Sequence, residues 1–155
     1  MTTIGRLMSL QGGCAIVTGA AGGLGAVMSD TLAEMGADVI MVDLPAVDMS
    51  DLARKISDQH GVNVSTEGCD IGVAEERRAL AEKVLRDQEC LNVLVNNAAF
   101  VGTSTLEGWA EPFERQSVEV WQRALEVNLT SAFHFSQLFA PLLRATNVGS
   151  IINIA

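Results

Sequence analysis

The chain has 155 residues, 48% of them apolar and 19% charged, with 14 glycines and 3 prolines, a composition that excludes disordered and low-complexity classes and fits one globular domain. Ten basic against 19 acidic residues leave a formal charge of −9, which argues against a nucleic-acid partner, because phosphate-backbone affinity rests on clustered Lys and Arg and the only lysines are Lys55 and Lys83. Cys14, Cys69 and Cys90 form no C-x-x-C pair, so neither a metal site nor a redox dithiol is expected, a reducing cytoplasmic setting suits them, and no stretch is long enough to predict a membrane span.

The first apolar, β-branched run, residues 14–18, is a predicted buried strand. It leads into Thr18-Gly19-Ala20-Ala21-Gly22-Gly23-Leu24-Gly25 and then a helical pattern in which Leu24, Val27, Met28, Thr31, Leu32 and Met35 recur at three- and four-residue steps, with Gly36 as the stop. A second strand, 39–42, ends at Asp43. The next helix is predicted from Ser50, read as its N-cap, to Gly61, with Leu52, Ala53 and Ile56 on its inner face. A strand follows at 62–66, then a helix over 73–88 that carries Leu80, Val84 and Leu85 inward and its charges outward. His60 reads as a cation placed favourably at a helix C-terminus.

The fourth strand, 93–95, is followed by a long connection from Phe100 to Gln116, which forms either part of a substrate pocket or a surface loop anchored by Trp109 and Phe113. A long helix is predicted over 117–144, with Trp121, Leu125, Asn128, Ala132, Phe135, Phe139 and Leu142 in one stripe and Pro141 bending or ending it. His134 lies off that stripe and receives no role. The fifth strand is 151–154. Strand and helix alternating in this way predict an α/β fold, a doubly wound parallel sheet of the Rossmann type, with ligands bound beyond the carboxyl ends of the strands.

Two features on that side of the sheet carry chemistry. Glycines between a strand and a helix let the backbone approach a pyrophosphate, whose charge is met by main-chain N–H groups at the helix N-terminus, so an acidic protein can still bind an anionic cofactor. Asp43 follows Gly19 by 24 residues, near the spacing of roughly 20 expected of an acid that accepts hydrogen bonds from an adenosine ribose. A carboxylate there would repel a 2′-phosphate, and neither Ala20, Ala21 nor the adjoining Leu44 supplies a cation, which favours NAD over NADP. The Asn128 carboxamide on an apolar face needs hydrogen-bond partners, either backbone or an ordered water.

The sequence resembles the short-chain dehydrogenase/reductase family from about Gln11 to Ala155. Thr18, Gly19, Gly23 and Gly25 match its T-G-x-x-x-G-x-G motif. The resemblance implies that Gly19, Gly23, Leu24 and Gly25 cradle the pyrophosphate of NAD, that Asp43 and Leu44 lie at the ribose, and that Asp70 and Ile71 meet the adenine. Asn96-Asn97-Ala98-Ala99 matches the usual N-N-A-G except at Ala99, and implies that Asn97, Ala98 and Ala99 flank the nicotinamide-side ribose. Val127-Asn128-Leu129 matches the helix-borne catalytic Asn, which in the family holds a water in a proton relay.

The implied activity is hydride transfer between NAD(H) and an alcohol or carbonyl on a small molecule, in an enzyme that is usually a homo-dimer or homo-tetramer. The family's Ser and Tyr-x-x-x-Lys are expected beyond Ala155. The chain contains no tyrosine, and neither lysine stands in a suitable motif. Residues 1–155 are therefore expected to be the NAD-binding, N-terminal portion of a single-domain enzyme of roughly 250 residues. The alternative is a naturally short, catalytically inactive NAD-binding module with a sensing or interaction role.

Overall fold

The computed structural model describes residues 7–100, 108, 111–146 and 148–155. Its elements run β1 (Cys14–Thr18), α1 (Gly23–Glu34), β2 (Asp38–Asp43), α2 (Ser50–His60), β3 (Val64–Gly68), α3 (Ala74–Asp87), β4 (Val93–Asn96), a 3-10 turn at Phe113–Arg115, α4 (Val118–Leu125), a π-helical segment at Glu126–Thr130, α5 (Ser131–Ala145) and β5 (Ser150–Asn153). The strands form one sheet in the order β3-β2-β1-β4-β5, every neighbouring pair parallel. This is the doubly wound fold that the alternation predicted. Strand order reverses between β1 and β4, so the ends of those two strands open a crevice.

Alternation along each strand divides the core between the two faces of the sheet. Ile16, Ile40 and Leu94 pack with Leu80 and Val84 of α3 and with Phe135, Phe139 and Leu142 of α5, where the two phenyl rings stack at 5.5 Å. Ala15, Val17, Val39, Met41, Val93 and Val95 pack on the other side with Leu32 and Ala33 of α1 and Ala53 and Ile56 of α2. All of β1 is buried, which is why it reads as an unbroken apolar run.

Several boundaries and faces differ from the sequence reading. Ser50 is the first helical residue of α2 rather than its N-cap, and its N–H is held by Asp48 Oδ1 at 2.9 Å. The inner face of α1 is made of Gly25, Ser29, Leu32 and Ala33, while Leu24 and Val27 are exposed, and at its start the helix packs directly on the turn at Gly19 and Ala20, leaving no room for a side chain at Gly25. In α3 the charges do not all face outward: Arg77 is buried and Leu85 is exposed.

Helix α5 continues through Pro141 to Ala145. Strand β5 is exposed rather than buried, since it forms the edge of the sheet and α5 supplies its main helix contact. Phe113 is 88% exposed and joins neither core cluster of the described residues. Trp109 lies outside the described residues.

Candidate functional site

Strand β1 ends at Thr18, and Gly19 turns the chain with φ +65°, where a Cβ would also lie 2.8 Å from Ala98 Cα. Helix α1 begins after Gly22 with neither a capping side chain nor an acidic residue in its first turn. Its leading N–H groups and the positive end of its dipole are thus left for an anion. Gly25 is fixed by packing, because a Cβ there would stand 2.1 Å from the Gly19 carbonyl oxygen. At Gly23 a Cβ would meet nothing within 4 Å. Neither packing nor a left-handed backbone accounts for that glycine, and it opens onto the cleft, a cradle that a Cβ would partly fill.

The end of β4 is tied to this turn. Thr18 Oγ1 accepts the N–H groups of Asn97 at 3.0 Å and Ala98 at 3.1 Å, and Asn97 Nδ2 donates to the carbonyls of Thr18 at 2.9 Å and Gly19 at 3.2 Å. At the end of β2, Asp43 Oδ2 accepts from Ala21 N–H at 2.9 Å and Oδ1 from Leu44 N–H at 2.8 Å. An ionised carboxylate has about four lone-pair directions, so each oxygen keeps capacity for a further donor.

After β3, Asp70 is held on three sides. Its N–H donates to Glu76 Oε2 at 2.7 Å, its Oδ1 accepts from Gly72 N–H at 2.9 Å, and Arg123 Nη2 of α4 reaches both oxygens at 2.8 and 2.7 Å. Arg123 was not singled out in the sequence, since 53 residues separate it from Asp70 and no local pattern joins them. Glycine at position 72 makes room for it, as a Cβ there would collide with Nη1. Cys69 lines the same cleft, but burial, then Glu76 and Asp70, push its thiol up to about 12, so it is protonated at neutral pH and is no nucleophile.

All of these walls enclose one cleft of about 890 Å³, a size typical of small-molecule and cofactor sites. Gly19, Gly23, Leu24 and Gly25 line it, as do Asp43 and Leu44, Asp70 and Ile71, and Asn97, Ala98 and Ala99, together with Arg123, Phe100 and Val127. No group of His, Cys, Asp and Glu among the described residues is placed to hold a metal.

Asn128 differs from its predicted setting. It is exposed and does not line the cleft, although its neighbours Val127 and Phe100 do. Its Oδ1 accepts from Phe100 N–H at 2.6 Å and its Nδ2 donates to the Phe100 carbonyl at 3.1 Å. The π-helical segment explains the difference. The N–H of Ser131 reaches back to the Glu126 carbonyl, and the extra residue in that turn shifts the buried stripe to Ala124, Val127, Ser131, Phe135 and Phe139. Trp121, Leu125 and Asn128 are turned outward.

The family described as short chain dehydrogenase matches residues 13–155. The chain belongs to the short-chain dehydrogenase/reductase family. A tropinone reductase homolog of Arabidopsis thaliana is 37% identical over 145 residues, covering 93% of this chain and 52% of its own length. The 7α-hydroxysteroid dehydrogenase of Escherichia coli (strain K12) is 34% identical over 147 residues, covering 95% and 54%. The chain thus spans about half the length of the curated relatives it matches.

Among solved structures, a metagenomic short-chain oxidoreductase in complex with NADP is similar with a TM-score of 0.83 at 29% identity, over 94% of this chain and 62% of that one. The L-sorbose reductase from Gluconobacter frateurii, complexed with NADPH and L-sorbose, gives 0.83 at 27% identity, over 94% and 53%. These relatives are oxidoreductases by name, and both structures hold a nicotinamide cofactor. No helix among the described residues is long and apolar enough to cross a membrane.

Proposed function

We propose that this chain is the cofactor-binding portion of a single-domain, NAD-dependent oxidoreductase that interconverts an alcohol and a carbonyl on a small molecule. The observation that carries this reading is the junction of the bare α1 N-terminus, the open position at Gly23 and the Asp43 carboxylate in one cleft. Gly19, Gly23, Leu24 and Gly25 receive the pyrophosphate, with main-chain N–H groups meeting its charge. Asp43 accepts from the adenosine ribose beside Leu44, Asp70 and Ile71 bound the adenine end, and Asn97, Ala98 and Ala99 form the wall at the nicotinamide-side ribose.

When bound, the nicotinamide supplies or takes the hydride. The accompanying proton needs a general acid or base. With no tyrosine in the chain and neither lysine lining the cleft, we assign that role to Ser, Tyr and Lys residues after Ala155. Asn128 is the relay residue present, and its double hydrogen bond to Phe100 fixes its segment at the lip of the cleft.

Preference for NAD rests on Asp43. Arg123 is the one cation among the described lining residues, and it is engaged by Asp70, so nothing on that wall offsets the repulsion between Asp43 and a 2′-phosphate. Fluorescence titrations with NADH and NADPH test this. The wild-type chain should bind NADH at least about tenfold more tightly, a difference of about 1.4 kcal/mol, and Asp43→Ser should erase the gap. Equal affinities, or a preference for NADPH, would contradict it. We further place the protein in the cytoplasm, on its unpaired cysteines, and as a homo-dimer or homo-tetramer joined on the outer face of α4 and α5, where Trp121, Leu125, Leu129 and Phe133 are exposed.

A further inference from the structure

Helix α3 turns Leu80, Ala81 and Val84 to the core, and the residue in line with them one turn earlier is Arg77, 2% exposed. A buried guanidinium suffers a desolvation penalty that an apolar side chain of the same volume avoids. Its donors go to separate segments. Nη1 donates to the Ile71 carbonyl, Nη2 to Glu126 Oε1 of the π-helical segment at 2.6 Å, and Nε to His134 Nδ1 of α5 at 2.9 Å. Since Nε carries its proton at all ordinary pH, His134 Nδ1 must be the acceptor, which fixes the neutral ring with its own proton on Nε2.

Ile71 lies in the loop that bounds one end of the cleft, and Glu126 begins the five-residue segment that carries Asn128. Arg123 ties Asp70 of the same loop to α4, but among the described side chains only Arg77 donates both to the loop and to the segment 126–130 itself, and its planar fork holds them in a fixed relation that a flexible ammonium would not. We propose that Arg77 is a positioning residue, locking the loop 70–72 to the segment 126–130, so that cofactor seated against the loop also orders the Asn128 segment. This rests on the reading of the cleft as a dinucleotide site. It differs from a purely stabilising role in one respect: removing one partner of the pair lowers the stability of the whole chain, but loss of the lock must quicken exchange in these two segments beyond that global change.

The test is amide hydrogen exchange, read by mass spectrometry on the full chain with and without NADH, for wild type and Arg77→Met, beside the thermal midpoint of each. In the free variant both segments should exchange about fivefold faster or more, beyond the global change that the β1 and β4 amides report. NADH should protect 70–72 and 126–130 together in the wild type but only 70–72 in the variant, with binding about five- to tenfold weaker. Unchanged exchange across 126–130 in Arg77→Met would overturn the proposal.

Should that variant not fold, Glu126→Ala, at a side chain 35% exposed, removes the acceptor from the site. It should then quicken exchange at 126–130 alone, and unaltered rates there would overturn the proposal equally. Wild-type protein that binds neither NADH nor NADPH would instead overturn the cofactor reading, and the rates in the free protein, which need no ligand, would still decide whether Arg77 is the lock.

Discussion

Thr18 and Asn97 hold each other from both ends: the Asn97 N–H donates to Thr18 Oγ1 at 3.0 Å, and Asn97 Nδ2 donates back to the Thr18 carbonyl at 2.9 Å. The glycine turn and the end of β4 therefore form one hydrogen-bonded unit across the point where strand order reverses. Thr18→Val keeps the side-chain shape but strands the N–H groups of Asn97 and Ala98. We expect a stability loss of about 1–3 kcal/mol in urea denaturation, restored by Thr18→Ser. A valine variant as stable as the wild type would contradict the linkage.

The glycines of the turn separate into packing and binding positions. Gly25→Ala places a methyl group 2.1 Å from the Gly19 carbonyl oxygen, so it should lower the thermal midpoint and abolish binding together. Gly23→Ala meets no protein atom within 4 Å and replaces a helical glycine, so stability should hold or rise by about 0.5–1 kcal/mol while nucleotide affinity falls. Calorimetric melting alongside a binding titration checks both. Equal behaviour of the two variants would mean that Gly23 does not face the ligand.

Much of this site was legible in the sequence because its signals are local. The run from Thr18 to Gly25 and the acid Asp43 each sit at a fixed offset from an apolar strand, Asp70 is implied by the family resemblance, and the structure brings all of them to one cleft. The structure departs where spacing depends on tertiary context. Periodicity counted Leu24 and Val27 inward because it weighs hydrophobicity, whereas the buried face starts at Gly25, packed on the turn at Gly19 and Ala20, and continues through Ser29 to Leu32 and Ala33. The stripe through Asn128 assumed a uniform 3.6-residue turn, and one π-helical turn rotates everything before it. Arg77 stands at a core position of α3 that a charged side chain hides from such a reading, and its two side-chain partners lie 49 and 57 residues away.

Acidification should weaken the fold through His134. Burial, then the neighbouring Arg77 and Arg78, hold its pKa below the ordinary 6.5, against a smaller opposing pull from Glu126. The unfolded chain therefore takes up a proton at a pH where the folded one does not, and stability declines as pH falls below about 6.5. It levels off only once the folded-state histidine also titrates. Thermal midpoints measured between pH 8 and pH 5.5 should fall less for His134→Gln than for wild type. Parallel curves would remove His134 from the acid response.

The exposed apolar row Trp121, Leu125, Leu129 and Phe133 runs along the outer side of the helix pair. If this row joins copies of the chain, Phe133→Glu should shift sedimentation toward the monomer without altering nucleotide affinity. Sedimentation identical to the wild type would place any self-association elsewhere.

The most direct test of the dinucleotide site is chemical-shift mapping of the backbone amides during titration of the chain with NAD. Shifts should concentrate at residues 19–25 (the turn and the start of α1), at Asp43 and Leu44, at Asp70 and Ile71, and at Ala98 and Ala99. They should be lost in Gly23→Ala. An absence of shifts at millimolar NAD and NADP, or shifts confined to residues outside this cleft, would contradict the assignment.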